Sequence, residues 1–147
     1  MNKVGVGLLG LGTVGGGTVN VLRRNAEELA RRCGRSIEVV SACARDLTKP
    51  RICSTEGIRL TEQPRQVVDD PEVEVVVELI GGVDAARDLV LRAVENGKHV
   101  VTANKALIAL HGNEIFAAAE ENNVAVAFEA AVAGGIPIIK AIREGLA

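Results

Sequence analysis

The sequence predicts an α/β domain with a doubly wound, mainly parallel sheet and helices on both faces, and three observations predict it. Short apolar runs alternate with helix-period stripes along the whole chain. A glycine cluster, Gly10 to Gly17, stands between the first run and the first stripe. The run Glu74-Val75-Val76-Val77-Glu78-Leu79-Ile80 is rich in valine, whose branched Cβ favours the pleated sheet.

Taken in order, residues 4–9 form a short apolar run edged with glycine, as a buried parallel strand requires. Gly15, Val19, Leu22, Ala26 and Leu29 then recur at spacings of three and four, which predicts one long helix stopped by Gly34. Residues 37–44 are the second strand, residues 47–57 a polar surface connection, and residues 58–60 a short strand. Pro64 opens one or two helical turns that end at Asp69-Asp70-Pro71. After the valine run, Gly81-Gly82 breaks the strand, and Ala86, Leu89, Val90, Ala93 and Val94 mark a helix ending at Asn96-Gly97. Residues 99–102 form a strand, 106–121 a helix ended by Asn122-Asn123, and 124–128 the last strand. Residues 129–137 are expected to be a loop, followed by a helix whose apolar residues are Ile138, Ile139, Ile142 and Leu146. That stripe runs to residue 147 without a stop signal and reads as a cut chain, so residues 1–147 are expected to be one domain of a longer protein.

Composition narrows the function. With 17 basic and 19 acidic residues the net charge is −2, and the only aromatic side chains are Phe116 and Phe128. Nucleic-acid binding, which draws on a basic excess and stacking aromatics, is not expected. Arg23, Arg24, Arg31, Arg32 and Arg35 are interrupted by Glu27 and Glu28 and read as a solvated helix face. No apolar run is long enough to cross a bilayer and no signal peptide is evident, so a cytoplasmic protein without a membrane partner is expected. Cys33, Cys43 and Cys53 contain no C-x-x-C pair, which argues against zinc and dithiol chemistry, and His99 and His111 read as structural.

The chemistry gathers at strand ends. Gly10-Leu11-Gly12-Thr13-Val14-Gly15 fits G-x-G-x-x-G, and it follows the first strand and opens the first helix, the context that gives this pattern meaning. Gly10 permits the tight turn, Gly12 lets backbone approach a pyrophosphate, and Gly15 lets helix and strand pack closely. The free N–H groups and helix dipole at Thr13 and Val14 suit phosphate oxygens. This is the fingerprint of a Rossmann domain for NAD or NADP. After the second strand, Arg45 suits a 2′-phosphate while Asp46 would suit a free 2′-hydroxyl; with Lys49 and Arg51 adding positive charge, NADP is somewhat favoured and NAD stays open. Gly81, Thr102 and Lys105 stand where the central strands end, beside the expected nicotinamide. The loop that begins at Glu129 offers one carboxylate and several carbonyls, oxygen ligands that hard cations favour, but on the residues alone an ordinary strand-to-helix turn is the better reading.

These stretches, above all 97–109 and 128–139, resemble the N-terminal cofactor domain of the homoserine dehydrogenase family. The resemblance implies an enzyme that interconverts L-homoserine and L-aspartate 4-semialdehyde with NAD(P)(H), in threonine and methionine biosynthesis. It implies Arg45 at the adenosine phosphate and Lys105 near nicotinamide and substrate as a catalytic proton-handling group. It also implies a sodium ion held by the Glu129 side chain and the carbonyls of Val132, Gly134 and Ile136. A substrate and dimerisation domain would follow, carrying the substrate carboxylates, a second lysine and the homodimer contact, so the chain alone is expected to be inactive. The rival readings are another two-domain dehydrogenase, which residues 102–109 speak against, and a free-standing nucleotide sensor, which the unfinished last helix speaks against.

Overall fold

A computed structural model describes residues 3–146. Six parallel strands, β1 (Lys3–Leu9), β2 (Ser36–Cys43), β3 (Arg59–Thr61), β4 (Val75–Glu78), β5 (His99–Thr102) and β6 (Val126–Ala127), lie in the order β3-β2-β1-β4-β5-β6. The chain therefore builds outward from β1 in one direction and from β4 in the other. The strand order reverses between these two central neighbours, which opens a crevice at their carboxyl ends. The helices are α1 (Thr13–Arg24), α2 (Ala26–Cys33), α3 (Pro64–Val68), α4 (Asp84–Glu95), α5 (Lys105–Glu121), α6 (Glu129–Val132) and α7 (Ile138–Gly145).

The two-residue period of β1 divides its side chains between two cores. Val6 and Leu8 join Leu11, Val19, Ala42 and Ile58 on the α1 face. Leu9 joins Val67, Val68, Val76, Val90 and Val100 on the face covered by α3, α4 and α5. Glycine on that second face admits close packing: a Cβ on Gly5 would lie 1.8 Å from the Glu72 carbonyl oxygen, and one on Gly7 would lie 2.6 Å from Val67 of α3. The domain is thus doubly wound, as the alternation predicts.

Local expectations fail in three places. The expected long first helix is broken at Asn25, which leaves helical geometry at ψ 15° while its side chain donates to the Val21 carbonyl (2.8 Å). Apolar spacing passes through that break, but no residue of α2 is buried. Gly34 does cap the second helix in the left-handed region, at φ 69°. The last strand, expected over 124–128, pairs only at Val126 and Ala127, because the N–H groups before it turn elsewhere. Val124 N–H goes to the Ala119 carbonyl and Ala125 N–H to His99 Nδ1. Finally, the expected loop 129–137 begins with the short helix α6.

The arginine cluster is likewise not simply a solvated face. Arg23 donates to the carbonyls of Ser54 and Glu56, and Arg35 pairs with Glu74 while donating to the Lys3 carbonyl. α7 buries none of its residues; the Phe128 ring packs against Phe116 of α5 in a tilted arrangement, centroids 5.0 Å apart, and lies under the Arg143 guanidinium of α7. Among the described residues no helix is long and apolar enough to cross a membrane.

Candidate functional site

The site starts at the turn between β1 and α1. Gly10 has φ 107°, a conformation that a Cβ would strain, and its N–H donates to the Cys43 carbonyl at the end of β2 (3.2 Å). A Cβ on Gly15 would lie 2.2 Å from the Gly10 carbonyl oxygen, so only glycine lets α1 start this close to the strand. Gly12 differs: a Cβ there would meet nothing within 4 Å. Its exposed backbone is open to a ligand. Thr13 and Val14 are exposed in the first turn of α1, which contains no acidic residue and no side-chain cap, so its leading N–H groups are free to meet an anion.

Beside this turn lies a cleft of about 390 Å³ lined by Val14, Leu79, Gly81, Asn104, Lys105 and Ala106, with Glu78 at its wall. It sits where β4 and β5 end, next to the crossover point of the sheet. Gly81, at φ 71°, turns the chain away from β4. Lys105 is the first residue of α5 and is exposed at the cleft. Asn104 caps that helix, with Oδ1 accepting from Leu107 N–H (3.1 Å) and Nδ2 donating to the Gly82 carbonyl (2.6 Å). Thr102 is fully buried, and its hydroxyl donates to Glu78 Oε2 (2.7 Å) and accepts from Asn104 N–H (3.0 Å). The Thr102 hydroxyl proton is therefore committed inside the wall.

On the far side of α1, Arg45 is exposed just past β2. Asp46 Oδ1 accepts from both the N–H and the hydroxyl of Thr48 (2.9 and 2.7 Å), and the hydroxyl bond, seconded by the N–H, holds the carboxyl below its usual range. One oxygen of the residue that would favour NAD is thus engaged within its own turn. Arg51 does more than add charge: its guanidinium bridges the Leu11 carbonyl in the glycine turn and the Asp46 carbonyl. Asn20 Nδ2 donates to the Ile52 carbonyl (3.0 Å), so α1 and the connection after β2 are laced together. A Cβ on Gly16 would lie 2.7 Å from the Ile52 side chain, which explains a glycine beyond the fingerprint.

In the residue 129–136 segment, Glu129 Oε1 accepts from Ile139 N–H (2.8 Å) at the start of α7. The Ile136 carbonyl accepts from Ile138 N–H (2.8 Å), Gly134 turns at φ 60°, and Val132 ends α6. Sequence reasoning placed the glycine turn, Gly81 and Lys105 around one crevice, and the structure brings them together. It missed Glu78, the bridging role of Arg51 and the packing role of Gly16, each of which depends on a partner distant in sequence.

A family model described as homoserine dehydrogenase, NAD binding domain, matches residues 10–129. Homoserine dehydrogenase of Pseudomonas aeruginosa is 66% identical over 146 residues, which are 99% of this chain and 33% of that protein. The crystal structure of a homoserine dehydrogenase from Thiobacillus denitrificans superposes with a TM-score of 0.91 at 64% identity, over 99% of this chain and 34% of that one. A hyperthermophilic archaeal homoserine dehydrogenase in complex with NADPH shares the fold at a TM-score of 0.74 and 23% identity, covering 95% of this chain and 48% of its own. The chain thus spans about a third of the length of its bacterial relatives.

Proposed function

The chain belongs to the homoserine dehydrogenase NAD-binding family, and from that premise we propose that it holds the cofactor for the interconversion of L-homoserine and L-aspartate 4-semialdehyde, a step of threonine and methionine biosynthesis. The observation that carries the reading is the Gly10–Gly15 turn at the crossover point of the sheet, with Gly12 open to solvent and the cleft at Lys105 beside it. A bound NAD(P) would supply the hydride acceptor or donor at its nicotinamide ring. The N–H groups at Thr13 and Val14 bind the pyrophosphate, and Gly81 and the main chain after Thr102 flank the nicotinamide half. Lys105 Nζ takes the substrate hydroxyl proton on oxidation and returns it on reduction. Arg45 binds the 2′-phosphate of NADP, a preference supported by the engagement of Asp46 with Thr48.

Substrate grip and the homodimer contact belong, in this proposal, to the two thirds of the relatives' length that this chain does not span. The exposed apolar residues Ile138, Ile142 and Leu146 of the last helix and its end support such a neighbour. Sodium is the finer part of the proposal, held by the Glu129 carboxylate and the carbonyls of Val132, Gly134 and Ile136. Glu129 and Ile136 already accept N–H groups, so the ion would use their remaining lone pairs.

Titration of the chain with NADPH and NADH, read by cofactor fluorescence, tests the core of the proposal. Saturable binding of at least one is expected, and absence of both overturns it. Arg45→Ala should weaken NADPH far more than NADH; equal losses overturn the phosphate assignment. Homoserine-dependent NADPH formation is expected from a polypeptide of the relatives' length and not from the chain alone. For the cation, replacing sodium by N-methylglucamine should lower the thermal midpoint of wild type and not of Glu129→Ala, and equal midpoints in the two salts would remove it.

A further inference from the structure

We infer that Glu78 is a positioning residue for the nicotinamide end of the site, holding both walls of the cleft through its two carboxylate oxygens. The inference deepens the cofactor reading above and rests on it for the ligand, while the wall architecture stands on the geometry alone. Glu78 is the last residue of β4, and its side chain is fully buried. A buried carboxylate normally has a cationic partner, because desolvation penalises a lone charge. Among the described residues Glu78 has no ion pair; its side-chain partners are one donor from the turn after β4, Ile80 N–H, and one from the last residue of β5, the Thr102 hydroxyl.

Each oxygen has a separate task. Oε1 accepts from Ile80 N–H (3.0 Å), fixing the turn that carries Leu79, Gly81 and Gly82 away from β4. Oε2 accepts the Thr102 hydroxyl (2.7 Å). With its proton directed at Glu78, the Thr102 oxygen presents a lone pair to Asn104 N–H (3.0 Å). Asn104 then caps α5, whose first residue is Lys105, and ties back to the first wall through the Gly82 carbonyl. The connections form a closed loop: Glu78, Thr102, Asn104, Gly82 and Ile80, returning to Glu78. Lys105 stands on one side of the loop and Gly81 on the other.

This arrangement requires two acceptors at position 78. Glutamine, nearly isosteric, offers one acceptor and one donor group, so it must oppose an N–H donor to Ile80 or reverse the Thr102 hydroxyl. Thr102→Val removes only the hydroxyl and leaves the Ile80 bond intact. The two variants therefore predict different lesions. Amide hydrogen exchange on the unliganded chain should accelerate in both segments 80–82 and 103–107 in Glu78→Gln, at least about tenfold. In Thr102→Val it should accelerate in 103–107 alone, and Thr102→Ser should restore the wild-type pattern. In cofactor titrations Glu78→Gln should weaken NADPH about tenfold while leaving 2′-phospho-ADP-ribose, which lacks the nicotinamide, unchanged.

Exchange that is unchanged in both segments, or equally faster across the whole sheet, overturns the positioning role, as does an equal loss for NADPH and 2′-phospho-ADP-ribose. Should Glu78→Gln fail to fold, the Thr102→Val pattern and its repair by serine decide the matter. Wild-type chain that binds neither ligand would sink the cofactor reading, and the exchange experiment would still decide the role of Glu78 in the walls.

Discussion

The two ends of the sheet are built from different chemistry. At the amino ends of the strands, charge is paired: Arg35 with Glu74, Arg59 with Asp70 and Glu72, and Lys3 with Glu72. Arg92 clasps Asp69 at the same end, and Lys98 is buried with its ammonium donating to the carbonyls of Asp70 and Val73 (both 2.6 Å). At the carboxyl ends the chain is held by glycine turns and by the chain of bonds from Glu78 through Thr102 to Asn104, leaving Arg45 and Lys105 exposed. One end turns its charges on itself, and the other leaves them and its backbone donors for a ligand. Stability and binding should therefore be separable by mutation.

The largest effect is expected from Gly5→Ala, where the new Cβ would fall 1.8 Å from the Glu72 carbonyl oxygen. The strand must shift, and a loss of about 3 kcal/mol is expected in urea unfolding. Retention of full stability would show that the sheet yields there. Next comes Lys98→Met, which keeps the packing but leaves the Val73 carbonyl without its donor and the Asp70 carbonyl with only the Val73 N–H. It should cost about 2 kcal/mol and leave cofactor affinity among folded molecules unchanged, as read by denaturation and titration together. A smaller and opposite pattern is expected from Gly12→Ala, whose Cβ enters open space. Stability should stay within about 0.5 kcal/mol of wild type while dinucleotide affinity falls about tenfold. If affinity were kept, the pyrophosphate would lie elsewhere.

The smallest effect concerns acid. A hydrogen bond from Arg35 holds the Glu74 carboxyl below its usual range, and one from Arg92 does the same for Asp69. Since their folded pKa values are depressed, the stability they contribute is complete above the ordinary carboxylate range and is lost as pH falls through the folded values. Urea midpoints measured downward from neutral pH should therefore decline, and Glu74→Gln should make that decline shallower. Identical slopes would mean that this exposed pair is already screened by solvent.

What could be read from the sequence was whatever is local. Val75 to Val77 announce a strand by themselves, and Gly10, Gly12 and Gly15 carry their roles in their spacing. Asn25 was not legible, because the apolar spacing from Gly15 to Leu29 continues through it while tertiary packing does not reach α2. Glu78 lies inside the valine run expected to continue to Ile80, whereas β4 ends at it; its partner Thr102 stands 24 residues later and meets it only when β5 pairs with β4. Gly16 had no reason until Ile52 packed against it. In each case the missing information was a neighbour supplied by topology.

The lacing between α1 and the connection after β2 bears on how the domain can change over time. Asn20, Arg23 and Arg51 all grip main-chain carbonyls, those of Ile52, Ser54, Glu56, Leu11 and Asp46. Carbonyls are common to every amino acid, so most side chains of that segment can be exchanged without loosening its attachment. The segment adjoins Arg45, where the preference between the two dinucleotides is proposed to be set. Its backbone thus serves as a fixed mount on which interchangeable side chains can drift, and a lineage could retune its choice of cofactor there without rebuilding the phosphate turn.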